Sequence, residues 1–213
     1  MKSLFLFYTQ GEAGAPHYLS RTGEQGAETL TETIFSFLTE SLHLDLKSTL
    51  DERINSLNED VKWRSFKDKS LFLEAVKTSV NLFSELIIIS GSDDRTLKTT
   101  EFLAKKLALP ACVDERIDRH SLLKPELGTL QEALTDFTQH LNEDLNPALV
   151  LVGTSLNALL EWVKMQVPNN THEDFEKILK MSSENDIIPS VLIAGFEKEG
   201  ENIRWILDMP NNA

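Results

Sequence analysis

The sequence predicts an α/β protein: a three-layer sandwich whose mostly parallel central sheet carries helices on both faces and ends in an antiparallel edge. Three observations predict it. Four short apolar runs, rich in β-branched residues and bounded by polar or turn residues, have the character of strands covered on both sides. Helical periodicities lie between these runs, and such alternation builds parallel sheets. The turn "EKEGEN" joins the last run to one more strand, so the closing pair is antiparallel.

The first run is Leu4–Tyr8, which leads into the small-residue loop "TQGEAGAP". Leu30, Ile34, Phe37, Leu38 and Leu42 then recur at helical spacing. So do Leu46, Leu50, Ile54, Leu57 and Val61, opened by a serine or threonine cap in "STLDERINSLNED", and again Leu73, Val76, Val80 and Phe83. Residues 43–84 therefore read as a helical insertion within a single domain spanning 1–213. Leu86–Ser90 ("LIIIS") is the second run, and "LPACVDE" holds a short strand around Cys112. Leu130, Leu134, Phe137 and Leu141 mark a helix before the third run, Ala148–Val152. Thr171, with Asp174 three residues on, caps a helix carrying Phe175, Ile178 and Leu179. Val191–Phe196 and Ile203–Leu207 form the closing hairpin.

A chain of 213 residues buries one sizeable core, and 41% hydrophobic with 26% charged residues is ordinary for a globular protein. The net charge of −13, with no basic run, argues against nucleic-acid and anionic-membrane partners. The lone Cys112 allows no internal disulfide and suits a reducing cytoplasm; it reads as a small buried apolar residue. The apolar N-terminal run ends by Tyr8, short of a signal peptide, and no run reaches transmembrane length.

Ligands of open parallel sheets bind beyond the carboxyl ends of the strands. Here those ends are Tyr8-Thr9-Gln10-Gly11-Glu12, Ser90-Gly91-Ser92-Asp93-Asp94-Arg95 and Gly153-Thr154-Ser155-Leu156-Asn157. The latter two open helices, whose free N–H groups favour an anion. Arg95 is the strong cation of the set. Its planar fork suits phosphate or carboxylate; the alternative is a pair with Asp93, Asp94 or Glu101 at the helix start. The hydroxyl residues serve equally well as helix caps.

These segments resemble the histidine phosphatase superfamily, the phosphoglycerate mutase-like proteins. "FYTQGE" stands where that family has "VRHGE", and "LSRTGEQGAETL" keeps Leu19, Ser20, Gly23 and Ala27 in register with "LTxxGxxQA". "SGSDDRTLKTTEFLAKKLALPACVDERI" follows "SSPLxRAxxTAxxIAxxLGLPVxVDERL", with Ser90, Arg95, Thr99, Leu107, Pro110, Val113, Asp114 and Arg116 matching. "ALVLVGTSLNALLEWV" parallels "VLVVSHGGVIRALL", and "IIPSVLIAGFEKEGENIRWILD" looks like the family's closing hairpin. The resemblance implies the phosphoglycerate mutase-like fold over nearly the whole chain.

It also implies a degenerate site. Gln10 occupies the position of the family's phosphate-accepting histidine, and Thr9 that of the arginine before it. Thr154 aligns with the second histidine, and Arg119 with the family acid, for which Asp118 or Glu115 could substitute. Of the phosphate pocket only Arg95 survives. An amide nitrogen has no lone pair suited to attack, so a phosphohistidine cannot form at Gln10. The expectation is a catalytically inactive protein, with no cofactor or metal. Its cleft, lined by Thr9, Gln10, Gly11, Arg95, Thr154 and Ser155, takes a small polar or anionic ligand or a protein partner. Two alternatives stand beside it: a phosphatase with relocated groups, for which His17 and His120 are the stand-ins, and a scaffold working through the insertion, where Trp63 and Phe66 lie among basic residues.

Overall fold

The computed structural model describes residues 4–11, 13–14, 18–41, 63–66, 86–107, 109, 111–118, 128–139, 149–166, 191–199 and 202–208. The strands are β1 (Leu4–Thr9), β2 (Trp63–Phe66), β3 (Leu86–Ser90), β4 (Ala111–Asp114), β5 (Leu149–Thr154), β6 (Val191–Glu199) and β7 (Asn202–Asp208). The helices are α1 (Arg21–Ser36), α2 (Asp94–Leu107), α3 (Leu130–Gln139) and α4 (Leu156–Gln166). A π-helical turn, Phe37–Ser41, continues α1, and a 3-10 turn, Glu115–Asp118, follows β4.

The strands form one seven-stranded sheet in the order β2-β4-β3-β5-β1-β6-β7. β2, β4, β3, β5 and β1 run parallel, and β6 and β7 close the far edge antiparallel. Because side chains alternate along a strand, each central strand feeds two cores. Phe5, Phe7, Ile87, Ile89, Val150 and Val152 pack with Phe137 of α3 and Trp162 of α4. Leu6, Tyr8, Leu86, Ile88, Leu149 and Leu151 pack on the opposite face with Leu30 and Ile34 of α1 and Leu103 of α2. Every one of these side chains is essentially inaccessible, and burial of each contributes about 1.5–3 kcal/mol. The apolar runs of the sequence are continuous rather than alternating for this reason: both faces are covered.

The reading of residues 43–84 as a wholly helical insertion needs correction. Trp63–Phe66 is a strand, parallel to β4 with Trp63 opposite Ala111 and Phe66 opposite Asp114. Its pairing joins residues far apart in the chain, a tertiary effect that local periodicity does not register. The helices expected over 46–61, 73–83 and 171–179 lie outside the described residues, as do the side chains of Trp63 and Phe66. Among the described residues no helix is long and apolar enough to cross a membrane.

Candidate functional site

The register of the three central parallel strands brings their carboxyl ends side by side. Thr9 of β1 lies opposite Thr154 of β5, and Ser90 of β3 lies opposite Gly153 of β5. Beyond β1 comes Gln10-Gly11, beyond β3 the start of α2, and beyond β5 Ser155 and the start of α4. The turn after β4 contributes a fourth segment, ending at Asp118.

These segments are joined by hydrogen bonds between side chains. Gln10 is central. Its amide oxygen accepts from Arg95 Nη2 at 2.7 Å, and its nitrogen donates to Asp93 Oδ1 at 3.0 Å and Thr96 Oγ1 at 3.1 Å. The reverse orientation would set N–H₂ against the guanidinium and oxygen against the carboxylate, so the charged neighbours fix the amide. Asp93 Oδ1 also accepts from the Arg95 backbone N–H at 3.0 Å and lies 3.7 Å from Arg95 Nε. Asp93 thus caps α2, and its carboxylate and the Gln10 amide hold the guanidinium together. Of the two readings of Arg95, the pair with Asp93 is present.

Thr96, on the first turn of α2, carries the network inward. Its hydroxyl lies 3.0 Å from Asp118 Oδ1 and donates to it. The other carboxylate oxygen, Asp118 Oδ2, accepts from the Asp93 backbone N–H at 2.8 Å. Asp118 presses against the backbone of Gly91, where even a Cβ would overlap its carboxylate. Burial raises the Asp118 pKa to about 7; the bonds from Asp93 and Thr96 oppose that shift and the Asp93 charge adds to it. Beneath the site, the buried Tyr8 hydroxyl donates to Thr100 Oγ1 at 2.9 Å, and Ser90 Oγ lies 3.0 Å from the same atom. Burial drives the Tyr8 pKa well above that of an ordinary tyrosine.

The other residues expected at the site are placed as follows. Thr9 is buried at the end of β1. Gly11 donates its N–H to Thr99 Oγ1 at 3.0 Å, and a Cβ there would approach the Gly23 carbonyl oxygen to 2.7 Å, so the loop crosses α1 with no room for a side chain. Thr154 is fully buried and donates its hydroxyl to the Ile117 carbonyl at 2.6 Å. Ser155 Oγ donates to the Asp118 carbonyl at 3.1 Å and accepts from the Ala158 N–H at 3.2 Å, capping α4. These two hydroxyls tie the β4 turn to β5 and α4. His17, Arg119 and His120 lie outside the described residues. A cavity of about 230 Å³ lies between α1 and α2, lined by Tyr18, Leu19, Glu24, Lys98, Glu101, Phe102 and Lys105. None of the site residues expected from sequence lines it.

Comparison with solved structures gives the fold its name. A mycobacterial hydrolase, "hydrolase 1", aligns over 98% of both chains with a TM-score of 0.54 and 12% identity. A phosphoglycerate mutase from Plasmodium falciparum aligns with 98% of this chain and 89% of its own, at a TM-score of 0.50 and 10% identity. This is the phosphoglycerate mutase-like fold. A phosphoserine phosphatase from Entamoeba histolytica, solved with 3-phosphoglyceric acid, shares it over 99% of this chain and 98% of its own, with a TM-score of 0.50 and 9% identity. No protein-family model matches the chain, and no curated protein matches it.

On this phosphoglycerate mutase-like scaffold the carboxyl edge of the sheet holds one guanidinium, two carboxylates and several hydroxyls, already bonded to one another. The sequence pointed to Gln10, Arg95 and, as one of three partners for Arg95, Asp93, but not to the parts of Thr96 and Thr99. A signal for the threonines exists. Thr96, Thr99 and Thr100 recur at i, i+3 and i+4 on a buried helix face, where apolar residues are the rule, and hydroxyls there need partners.

Proposed function

We propose that this protein is a non-catalytic histidine-phosphatase-like protein, a pseudoenzyme whose carboxyl-edge cleft binds a small polar or anionic ligand rather than transforming one. One observation carries the reading: the residue at the nucleophile position, Gln10, holds the Arg95 guanidinium with its amide oxygen at 2.7 Å. Phosphoryl transfer through a covalent intermediate needs a nucleophilic lone pair and cations aimed at the phosphoryl oxygens. Here the amide offers no such lone pair, and the cation is engaged by the Asp93 carboxylate, whose charge would oppose an incoming phosphate. The solved neighbours include a mutase and a phosphatase, so the scaffold is one on which phosphate esters are handled elsewhere. The buried thiol of Cys112 suits a reducing cytoplasm. The test is steady-state hydrolysis of an aryl phosphate. Wild type is expected to turn over no faster than Gln10→Ala; robust turnover dependent on His17 overturns the reading.

A second reading, an active phosphatase with relocated groups, is favoured by Asp118. A carboxyl with a pKa of about 7 is suited to protonate a leaving group near neutral pH. It still requires a nucleophile, and the same assay, extended to Asp118→Asn, decides between the two: only the active enzyme loses turnover with that change.

A further inference from the structure

We propose that the cavity between α1 and α2 is a second ligand site, which holds a free aromatic amino acid by its ring, its carboxylate and its ammonium. The site is separate from the carboxyl-edge cleft and does not depend on how that cleft is read.

Two faces of α2 are in use. The buried one carries Thr96, Thr99, Thr100, Leu103 and Leu107. The other carries Lys98, Glu101, Phe102 and Lys105, which recur at i, i+3, i+4 and i+7 and so lie along one line of the helix. That line faces Tyr18 and Leu19, just before α1, and Glu24 of its first turn, and the space between them is the cavity. Leu19 is the partition to the cleft: its Cδ2 lies 3.1 Å from where a Gly11 Cβ would stand. Tyr18 is 63% exposed, yet its backbone is tied down. Its carbonyl accepts from the Gly14 N–H at 2.9 Å, and a bridge between Ala13 and Leu19 closes the same turn. An aromatic ring held out in water leaves apolar surface that a second ring seated against it would cover. An apolar cavity of about 150 Å³ takes benzene, so one of about 230 Å³ suits a single ring with a short side chain.

The polar lining carries both signs. Glu101 is spanned by two ammoniums, with Lys98 Nζ 2.8 Å from Oε2 and Lys105 Nζ 2.7 Å from Oε1. An ammonium has three donors, so each lysine keeps donors beyond the one given to Glu101, and two neighbouring cations suit a carboxylate. The Glu24 carboxylate meets no hydrogen-bond donor among the described residues and suits an ammonium. The hydrogen bond and charge of Glu101 raise the Lys98 pKa and the Glu24 charge adds to it, so the two signs lie within reach of each other. Two lysines and two glutamates leave the lining neutral as a whole. A simple anion or cation there meets repulsion as well as attraction, whereas a zwitterion pairs both its ends. Phe102, Leu19 and Tyr18 supply the walls for its ring.

The probe is phenylalanine, titrated into isotope-labelled protein and followed by backbone amide shifts. Saturable shifts are expected at Tyr18, Leu19, Glu24 and along Lys98–Lys105. Phenylalanine is expected to bind about fivefold more tightly than 3-phenylpropanoate, which lacks the ammonium, and than 2-phenylethylamine, which lacks the carboxylate, the size of one exposed charge pair in each case. Glycine, a zwitterion without a ring, is expected not to saturate. Glu24→Gln should weaken phenylalanine by about fivefold and not weaken 3-phenylpropanoate, a difference that loss of folding would not produce. Replacing Lys98 and Lys105 together with alanine should weaken both carboxylates and spare 2-phenylethylamine. Tyr18→Ala should weaken all three ring compounds. These side chains are all exposed, so the variants keep the core intact. The proposal is overturned by phenylalanine shifts that do not saturate, or that centre on Gln10, Arg95 and Thr154. It is overturned equally by glycine binding as well as phenylalanine, or by Glu24→Gln treating phenylalanine and 3-phenylpropanoate alike. Phosphatase turnover would sink the reading of the cleft and leave this site standing.

Discussion

Replacing Gly91 with alanine tests whether Asp118 is packed where the structure places it. A Cβ at residue 91 would overlap the Asp118 carboxylate. The cost is steric rather than conformational, because the positive-φ glycine among the described residues is Gly128, at φ 82°. Room can be made only by moving Asp118, which forfeits the bonds from the Asp93 N–H at 2.8 Å and the Thr96 hydroxyl at 3.0 Å. Hydrogen bonds to a charged group are worth about 1.5–3 kcal/mol each, and overpacking costs about 1–3 kcal/mol. These penalties are alternatives in part, since a displaced carboxylate regains water, so the expected loss is about 3 kcal/mol. Urea denaturation of wild type, Gly91→Ala, Asp118→Ala and the double variant forms a cycle. In the Asp118→Ala background the same methyl should cost about 1 kcal/mol or less, giving a coupling of about 2 kcal/mol. Equal costs in both backgrounds, or a Gly91→Ala protein as stable as wild type, would refute the packing.

Three further outcomes follow from the same network. Between the unfolded pKa of 3.8 and the folded value of about 7, native Asp118 binds more proton than the unfolded chain does, so its contribution to stability declines as pH rises. Asp118→Asn should therefore gain on wild type by on the order of 1 kcal/mol per pH unit within that window; a difference independent of pH in urea melts contradicts it. Tyr8→Phe removes the buried donor to Thr100 and should lower stability by about 1–2 kcal/mol, and a neutral result in thermal melts would mean that the Tyr8, Thr100 and Ser90 cluster is not formed. Arg116→Ala strips two partly buried carboxylates, Asp114 and Asp136, of their cation and should cost about 3 kcal/mol. Lys98→Ala, which breaks an exposed pair with Glu101, should cost less than about 1 kcal/mol by the same denaturation assay, and similar losses for the two would contradict this ranking.

The elements that were legible in the sequence are those whose burial leaves a local signature. β1, β3 and β5 are apolar on both faces, β6 opens with the apolar run Val191–Phe196, and α1 carries Leu30 and Ile34 on one stripe above a Ser20 cap that accepts from the Gly23 N–H at 2.8 Å. β2 was not legible, because the four residues Trp63–Phe66 are strand through pairing with β4, and nothing in "DVKWRSFKDKS" signals a distant partner. The site divides along the same line. Gln10 just beyond β1, Arg95 at the start of α2 and Thr154 at the end of β5 could be located from pattern and family resemblance. Which group bonds which could not, since Gln10 meets Thr96 and Asp118 meets the start of α2 across loops remote in the chain. Thr154 shows the difference. Its position at the sheet edge was readable, whereas its donation to the Ile117 carbonyl depends on how the β4 turn folds back.

The most direct test of the central claim is intact-mass spectrometry of the folded protein after exposure to an aryl phosphate, quenched at alkaline pH to preserve any phosphoramidate. The account predicts an unchanged mass, because the group at the nucleophile position is an amide whose oxygen is held by Arg95. A phosphorylated species that disappears when the ester is washed away would contradict it.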